Sequence, residues 1–345
     1  MDEQRFARRS PITLADLAQL HEAAGAGPVL ILTHDNPDPD ALAAGKALAA
    51  LLKSAWKIDS RLVYSGLVAR AENRAMLSRL TPEWEHSDTL TDLDQYSALA
   101  LVDTQPGAGN NCFPAAYTPQ IVIDHHHPIR ESIAGVRYVD VRTEIGATVT
   151  ILYQYLRAAG IELNPILATA IFYALKIDTR GLSRDTSPAD EEAYLALLDY
   201  LDQHELVRLE QAGLPCDYFR AFSAGLHATY LYGQAVVARL GVMDRPDLAA
   251  EMADLLIRLE SARAVLCQGV YQATVQISLR TKPLDDDAGQ LIQNVVGTLG
   301  KAGGHMSVAG GQVPLAGRDG DALMAELEKR FLAIMGETGE AIPLL

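Results

Sequence analysis

Pro28-Val29-Leu30-Ile31-Leu32-Thr33-His34-Asp35-Asn36-Pro37-Asp38-Pro39-Asp40 is a short apolar run that stops at a histidine and two aspartates. The run from Pro28 to Thr33 has the length and composition of a buried parallel strand. Pro37 and Pro39 stiffen the loop that follows, and a helix rich in Ala, Leu and Lys is predicted from about Asp40 through Ala41–Ala55. The same arrangement returns further on. Ser97–Val102 is an apolar run that meets Asp103, and Gln120–Ile123 is one that meets Asp124-His125-His126-His127. Asp178 stands at the end of a helix predicted over Pro165–Lys176. Four acidic sites therefore sit at the ends of apolar elements, where buried structure meets solvent.

The rest of the first half alternates in the same way. Thr13 and Asp16 mark a capped helix start running to about Ala24. Strands are predicted at Arg61–Tyr64 and Val136–Val141, and helices at Ala69–Leu80, Ile145–Ala158 and Pro188–Leu201. Strands alternating with helices define an α/β domain with a mainly parallel sheet. After about residue 202 the texture changes, and Asp202–Asp217 is polar and less periodic. A second, smaller α/β domain follows, with strands at Gln234–Val242, Val265–Tyr271 and Thr274–Leu279 and helices at Asp247–Glu260, Ala288–Leu299 and Ala322–Ile334. Gly300–Gly304 reads as a glycine-rich loop. The expected domains are 1–204 and 218–345, joined by a linker over 205–217. There is no internal repeat and no low-complexity tract.

Bulk composition narrows the function. A net charge of −15, from 29 basic and 44 acidic residues, argues against gripping long duplex nucleic acid, where affinity comes from phosphate neutralisation. Short oligonucleotides or nucleotides held at a local metal site remain open. Cys112, Cys216 and Cys267 form no C-x-x-C pair, so structural zinc and a disulfide framework are not expected. The charged start MDEQRFARRS is followed by no long apolar segment, and no stretch reaches the ~18 apolar residues of a membrane span. A cytoplasmic protein without membrane contact is the expectation.

A carboxylate followed by three imidazoles at a strand tip is a metal-ligand combination, suited to Zn or Mn. His34, Asp38 and Asp40 lie beyond the carboxyl end of a strand, the place where open α/β sheets bind ligands. Asp38 and Asp40 are spaced to give two nearby ions one carboxylate each, although Asp40 alone also suits a helix N-cap. Asp103 alone suits a turn. Asp178, at a helix C-terminus, opposes the macrodipole, which hints at another purpose. In the second domain Lys301–Gly311 sets glycines around His305, which suits close backbone approach to an anion as well as a plain loop. Arg280 ends a predicted strand upstream of it.

With these residues assembled, the chain resembles the DHH phosphoesterase superfamily, named for the triplet matched by Asp124-His125-His126. The resemblance covers nearly the whole chain: four acidic motifs in order, then a DHH-associated domain whose glycine-histidine segment is matched by Gly303, Gly304 and His305. It is most similar to the short group of oligoribonucleases and phosphoadenosine-phosphate phosphatases (NrnA-like). The resemblance implies two divalent ions, Mn²⁺ by family pattern with Mg²⁺ or Co²⁺ as alternatives. His34, Asp38 and Asp103 would hold one ion, and Asp40, Asp103, His125 and Asp178 the other. Asp124 would orient a ligand, and His126 would face the substrate phosphate. Arg280, Gly303, Gly304 and His305 would grip the other end of the substrate. A bridging hydroxide would attack phosphorus, with Asp103, His126 and Asp124 as the catalytic set. A homodimer is expected by resemblance alone.

The sequence departs from the family pattern at Ala302, where the first glycine of the triplet is missing, at Arg180, where glycine is common, and at His127, which extends the triplet. The acidic run Asp285-Asp286-Asp287 is an odd neighbour for a polyanion. None of these removes a metal ligand, so they bear on substrate identity. Two alternatives stand beside a phosphoesterase of short nucleotides: an inorganic pyrophosphatase, against which the glycine-histidine segment argues, and a metal-dependent nucleotide sensor that does not turn over. A processive RecJ-like exonuclease fits poorly with the short chain and its charge.

Overall fold

In a computed structural model of the chain, residues 11–282 and 286–345 are described, and they part into two compact units between Ala212 and Gly213. The segment MDEQRFARRS and Asp285, both weighed above, lie outside the described residues. No helix among those described is long and apolar enough to cross a membrane.

The first unit is an α/β sandwich around six strands: β1 (Val29–Leu32), β2 (Ser60–Tyr64), β3 (Trp84–His86), β4 (Ala98–Val102), β5 (Ile121–Asp124) and β6 (Tyr138–Val141). Their order is β3-β2-β1-β4-β5-β6, and every pairing is parallel. Parallel strands are buried on both faces, which is why they read as unbroken apolar runs. One face, through Val29, Ile31, Ala100 and Ile123, packs against helices α1 (Leu14–Ala24), α2 (Pro39–Trp56), α4 (Thr148–Ala158) and α5 (Pro165–Asp178); α3 (Ala71–Arg79) joins β2 to β3, and α6 (Pro188–Leu197) follows α5. The opposite face, through Leu30, Leu32, Leu101 and Val122, is closed by Ile133, Tyr96, Phe113 and other loop residues. Thr13 and Asp16 cap α1 reciprocally, as their spacing predicts.

Three stretches differ from their sequence-based reading. Trp84–His86 adds β3 at the sheet edge, too short to show a period, with the Trp84 indole donating to the Leu42 carbonyl at 3.0 Å. Within the polar stretch after Asp202, Gln203–Glu210 folds as helix α7, capped by Asp202. Its buried contact is a single leucine, Leu209, so no apolar stripe announces it. Gly300–Gly304 is not a loop: Lys301–His305 forms strand β11, paired antiparallel with β12 (Val308–Pro314). A Cβ on Gly289, in helix α10 (Ala288–Val296), would stand 2.1 Å from the Gly304 carbonyl oxygen. Close helix-on-strand packing therefore accounts for glycine here.

The second unit is a mixed sheet in the order β11-β12-β10-β9-β8-β7-β13, with β7 (Thr229–Tyr232), β8 (Ala235–Val242), β9 (Ala264–Tyr271), β10 (Thr274–Thr281) and β13 (Ile342–Pro343). Only β8 and β9 pair in parallel, joined by the crossover helix α9 (Leu248–Leu256). Helices α10 and α11 (Gly320–Met335) cover one face through Ile292, Val295, Leu323 and Phe331. On the other face lie α9, through Met252 and Ala253, and α8 (Cys216–His227), through Phe222.

Candidate metal centre

In the first sheet the strand order turns back between β1 and β4, and ligands bind beyond the carboxyl ends of strands at such a point. His34, Asp38 and Asp40 follow β1, Asp103 follows β4, and the histidines follow β5. Asp178 is the last residue of α5. One nitrogen or oxygen from each of His34, Asp38 and Asp103 lies within 4.8 Å of the others, and the same holds for Asp40, His125 and Asp178. Six residues singled out as metal ligands thus converge.

Asp103 lies between the two groups. Its Oδ2 is 3.3 Å from His34 Nε2, and its Oδ1 is 3.7 Å from His125 Nε2. It is 1% exposed and takes φ +60°, a conformation that non-glycine residues hold mostly where the surroundings enforce it. The enforcement is visible: its N–H donates to the Ile123 carbonyl at 2.9 Å, and Thr148 Oγ1 donates to its Oδ1 at 2.8 Å.

The imidazoles are oriented from behind. His34 Nδ1–H donates to the Asp35 carbonyl and His125 Nδ1–H to the Ile145 carbonyl, each at 3.0 Å. That fixes the tautomer and turns Nε2 toward the carboxylates, as in metal-ligating histidines. His125 Nε2 stands 3.9 Å from Asp40 and 3.8 Å from Asp178. These separations are too long for hydrogen bonds. They approach the spacing of neighbouring ligands around one ion, roughly 3–3.5 Å for ligand bonds of ~2.1 Å.

Asp38, not Asp40, caps α2, accepting from the Ala41 N–H at 3.1 Å. Asp40 is 0% exposed, and its two oxygens accept the N–H groups of Thr148 (2.6 Å) and Val149 (2.8 Å) at the start of α4. Asp124, also fully buried, accepts from His126 Nδ1 at 2.8 Å and from Gln105 Nε2 at 2.7 Å. His126 Nδ1 is 3.5 Å from Asp103, which groups it with Asp103 and His125. Because that nitrogen gives its proton to Asp124, Nε2 on the half-exposed side is the free end of the ring.

The electrostatics show an excess of negative charge out of water. Burial, with the charges of Asp103, Asp178 and Asp38, raises the Asp40 carboxyl well above the usual carboxylate range. Burial and the charges of Asp38 and Asp103 do the same to Asp178, against the pull of His126 and Arg184. Burial also opposes ionisation of Asp38, yet the bond and charge of His34 outweigh it and hold Asp38 far below the ordinary range. Desolvation opposes a charge on His126, but Asp103 and Asp124 push it up to about 10. For Asp124, desolvation yields to His126, His125 and Gln105, and the carboxyl falls to about 2. Carboxylates and imidazoles gathered this closely are the donor set of a divalent cation, which would relieve the repulsion among the carboxylates.

Sequence reasoning did not find Thr148, Gln105 or Gly146. Their signal is weak: Thr148 opens helix α4, Gly146 lies in the turn before it, and Gln105 is a polar residue in the loop after β4. Arg280 is not a solvated surface residue: it is 6% exposed, with Nε on Asp254 at 2.7 Å and Nη1 on Ser278 Oγ at 2.8 Å and on the Leu279 carbonyl at 3.0 Å. Gly303 and Gly304 pair with Gly310 and Ala309, and His305 ends β11. Of the acidic run, Asp286 is ion-paired to Arg263 at 2.8 Å and Asp287 caps α10, so both have structural work. Arg180 and His127 are exposed, and Ala302 is partly buried against the second core.

Residues 28–175 match the DHH family, N-terminal domain. That stretch carries His34, Asp38, Asp40, Asp103 and the histidine triplet, so it is a DHH-family N-terminal domain. An uncharacterized protein of Methanocaldococcus jannaschii is 33% identical over 312 residues, 89% of this chain, and the chain spans 63% of that relative's length. A probable manganese-dependent inorganic pyrophosphatase of Streptococcus agalactiae is 23% identical over 250 residues, 68% of this chain and 77% of that protein. The crystal structure of an exopolyphosphatase-related protein from Bacteroides fragilis shares the fold, with a TM-score of 0.75 at 14% identity, over 95% of this chain and 99% of the other.

Proposed function

We propose that the chain is a metal-dependent phosphoesterase acting on short oligonucleotides or small nucleotides: linear or cyclic dinucleotides, or phosphoadenosine phosphate. The observation that carries this reading is Asp103, whose two oxygens face histidines of different ligand groups, His34 and His125. One carboxylate serving two groups suits a pair of ions. His34, Asp38 and Asp103 would hold one, and Asp40, Asp103, His125 and Asp178 the other. Mn²⁺ is the assignment the pyrophosphatase relative supports, with Mg²⁺ or Co²⁺ as alternatives. When bound, such a pair supplies Lewis acidity toward phosphoryl oxygens and acidifies the attacking water.

The chain's own groups do the rest. Asp124 fixes His126 by Nδ1 and favours its protonated form, so Nε2–H can bond a phosphoryl oxygen or give a proton to the leaving oxygen. Arg280, Gly303, Gly304 and His305 are assigned to substrate binding on the resemblance. The net charge of −15 supports short substrates over long duplexes. Cytoplasmic location and a homodimer rest on the sequence reading alone.

The test is hydrolysis of pApA by the purified protein with Mn²⁺, beside an EDTA control. Metal-dependent release of AMP is expected. A second reading, inorganic pyrophosphatase, is favoured by the streptococcal relative, so pyrophosphate is assayed in parallel. Turnover of pyrophosphate without turnover of pApA would replace the first reading by the second. Binding of pApA without cleavage of either would make the protein a sensor.

A further inference from the structure

The loop after Asp178 is not explained by metal binding. Arg180, Leu182 and Asp185 take φ of +48°, +66° and +48° there, a region that L-residues enter at a penalty. The loop is nevertheless firmly held. Ser183 and Arg184 both donate their N–H to the Thr179 carbonyl at 2.9 Å, and Leu182 N–H donates to Thr179 Oγ1 at 3.1 Å. Asp190 Oδ2 accepts from the N–H groups of Gly146 and Ser187, each at 2.8 Å. A Cβ on Gly146 would stand 2.7 Å from the Asp185 carbonyl oxygen. The loop is thus fastened to the segment whose Thr148 and Val149 hold Asp40 and Asp103. Strain kept in place by so many bonds is a mark of functional loops.

This loop places Arg184 beside Asp178, the last residue of α5. Its Nη2 donates to the main-chain oxygen of Asp178 at 2.6 Å. Its Nε is buried without a hydrogen bond, with Asp185 Oδ2 3.7 Å away. The side chain is 26% exposed, so it can be reached from solvent. A guanidinium has five donors, and most of these are uncommitted among the described residues. Beside a cluster of aspartates that attracts cations, a fixed positive charge competes with the metal. An incoming anion removes that conflict and uses the free donors.

We propose that Arg184 is an anion-binding side chain at the Asp178 edge of the centre, taking phosphoryl oxygens of the substrate; this rests on the phosphoesterase reading. The rival role is a plain helix cap, since Arg184 donates to the carbonyl of the last residue of α5. The two roles predict different things. A cap positions Asp178, so its loss weakens metal binding. An anion subsite opposes the metal, so its loss leaves metal binding unchanged or tighter.

The experiment compares the full-length wild type with Arg184→Ala and Arg184→Lys. It measures kcat/KM for pApA, calorimetric Mn²⁺ affinity without substrate, and binding of inorganic phosphate to the Mn²⁺-loaded protein. For Arg184→Ala, kcat/KM and phosphate affinity are expected to fall about tenfold to a hundredfold, the range of charge-assisted hydrogen bonds. Mn²⁺ affinity is expected to hold or rise, and Arg184→Lys to recover part of the loss. Unchanged kcat/KM and phosphate affinity overturn the proposal, as does a loss that comes with weaker Mn²⁺ binding. If the wild type does not cleave pApA, the phosphoesterase reading fails by itself and phosphate binding judges the subsite. Weaker binding in Arg184→Ala then supports it, and equal binding, or none by the wild type, overturns it.

Discussion

The two sheets of this chain use their edges differently. In the first, every strand points the same way, so all carboxyl ends lie along one edge. Residues far apart in sequence, such as His34, Asp103 and His125, then meet because the topology leaves them no other place. In the second, most neighbours run antiparallel, strand ends alternate, and charged groups also hold the unit together. Arg280 is paired with Asp254, and Glu328 with Arg239 and Tyr232. A parallel sheet gathers chemistry at its edge, while a mixed one offers mainly backbone and packing. Each sheet also has a non-glycine residue at positive φ next to a strand: Asp103 at +60° and Gln272 at +54°. Substituting these two residues tests whether strain means the same thing in both.

The largest effect is expected at Asp103. Asp103→Asn keeps the shape but removes the charge that both ligand groups share, so turnover of pApA should vanish with little loss of melting temperature. Turnover within about tenfold of wild type, a barrier change of only ~1.4 kcal/mol, would mean that Asp103 is not a shared ligand. Next comes Thr148, whose hydroxyl proton goes to Asp103. Thr148→Val keeps the volume and the N–H to Asp40 but loses that bond. Outer partners of metal ligands carry about 10- to 100-fold in metal affinity, so calorimetry should show a loss of that order, restored by Thr148→Ser. An equal loss in both variants would make Thr148 a packing residue.

Most of the centre was legible in the sequence, because an apolar run ending in Asp or His fixes both the strand and the edge its last residue reaches. His34, Asp38, Asp103, Asp124 and His125 were found that way. What holds them was not legible. Thr148 acts through a hydroxyl and an amide that no pattern marks, and the loop that carries Arg184 turns left-handed at Arg180, Leu182 and Asp185 as well as at Gly181. Lys301–His305 was misread for the opposite reason. Glycines there suggest a loop, yet antiparallel pairing with Val308–Pro314 and the close approach of Gly289 make the segment a strand. Local residue type loses to tertiary pairing when the strand lies at a sheet edge.

The smallest effect is expected at Gln272. Tyr271 pairs with Thr274, so Gln272 and Ala273 form a two-residue hairpin loop whose first position needs positive φ, as glycine supplies in such turns. Gly233 occupies the same place between Tyr232 and Ala235, at φ +56°. Gln272 is exposed, and its side chain makes one weak contact, 3.5 Å to the Tyr271 hydroxyl. Gln272→Gly would relieve about 1–2 kcal/mol of left-handed strain, while the freer unfolded chain takes back roughly 0.4–1 kcal/mol. A net gain of about 0–1.6 kcal/mol is expected, read as a small rise in melting temperature, with kcat and Mn²⁺ affinity unchanged. Asp103→Gly relieves strain of the same kind yet should abolish turnover, because there the strained residue carries the ligand. If Gln272→Gly instead lowers activity, the turn between β9 and β10 serves more than folding, and the contrast between the two sheets fails at that point.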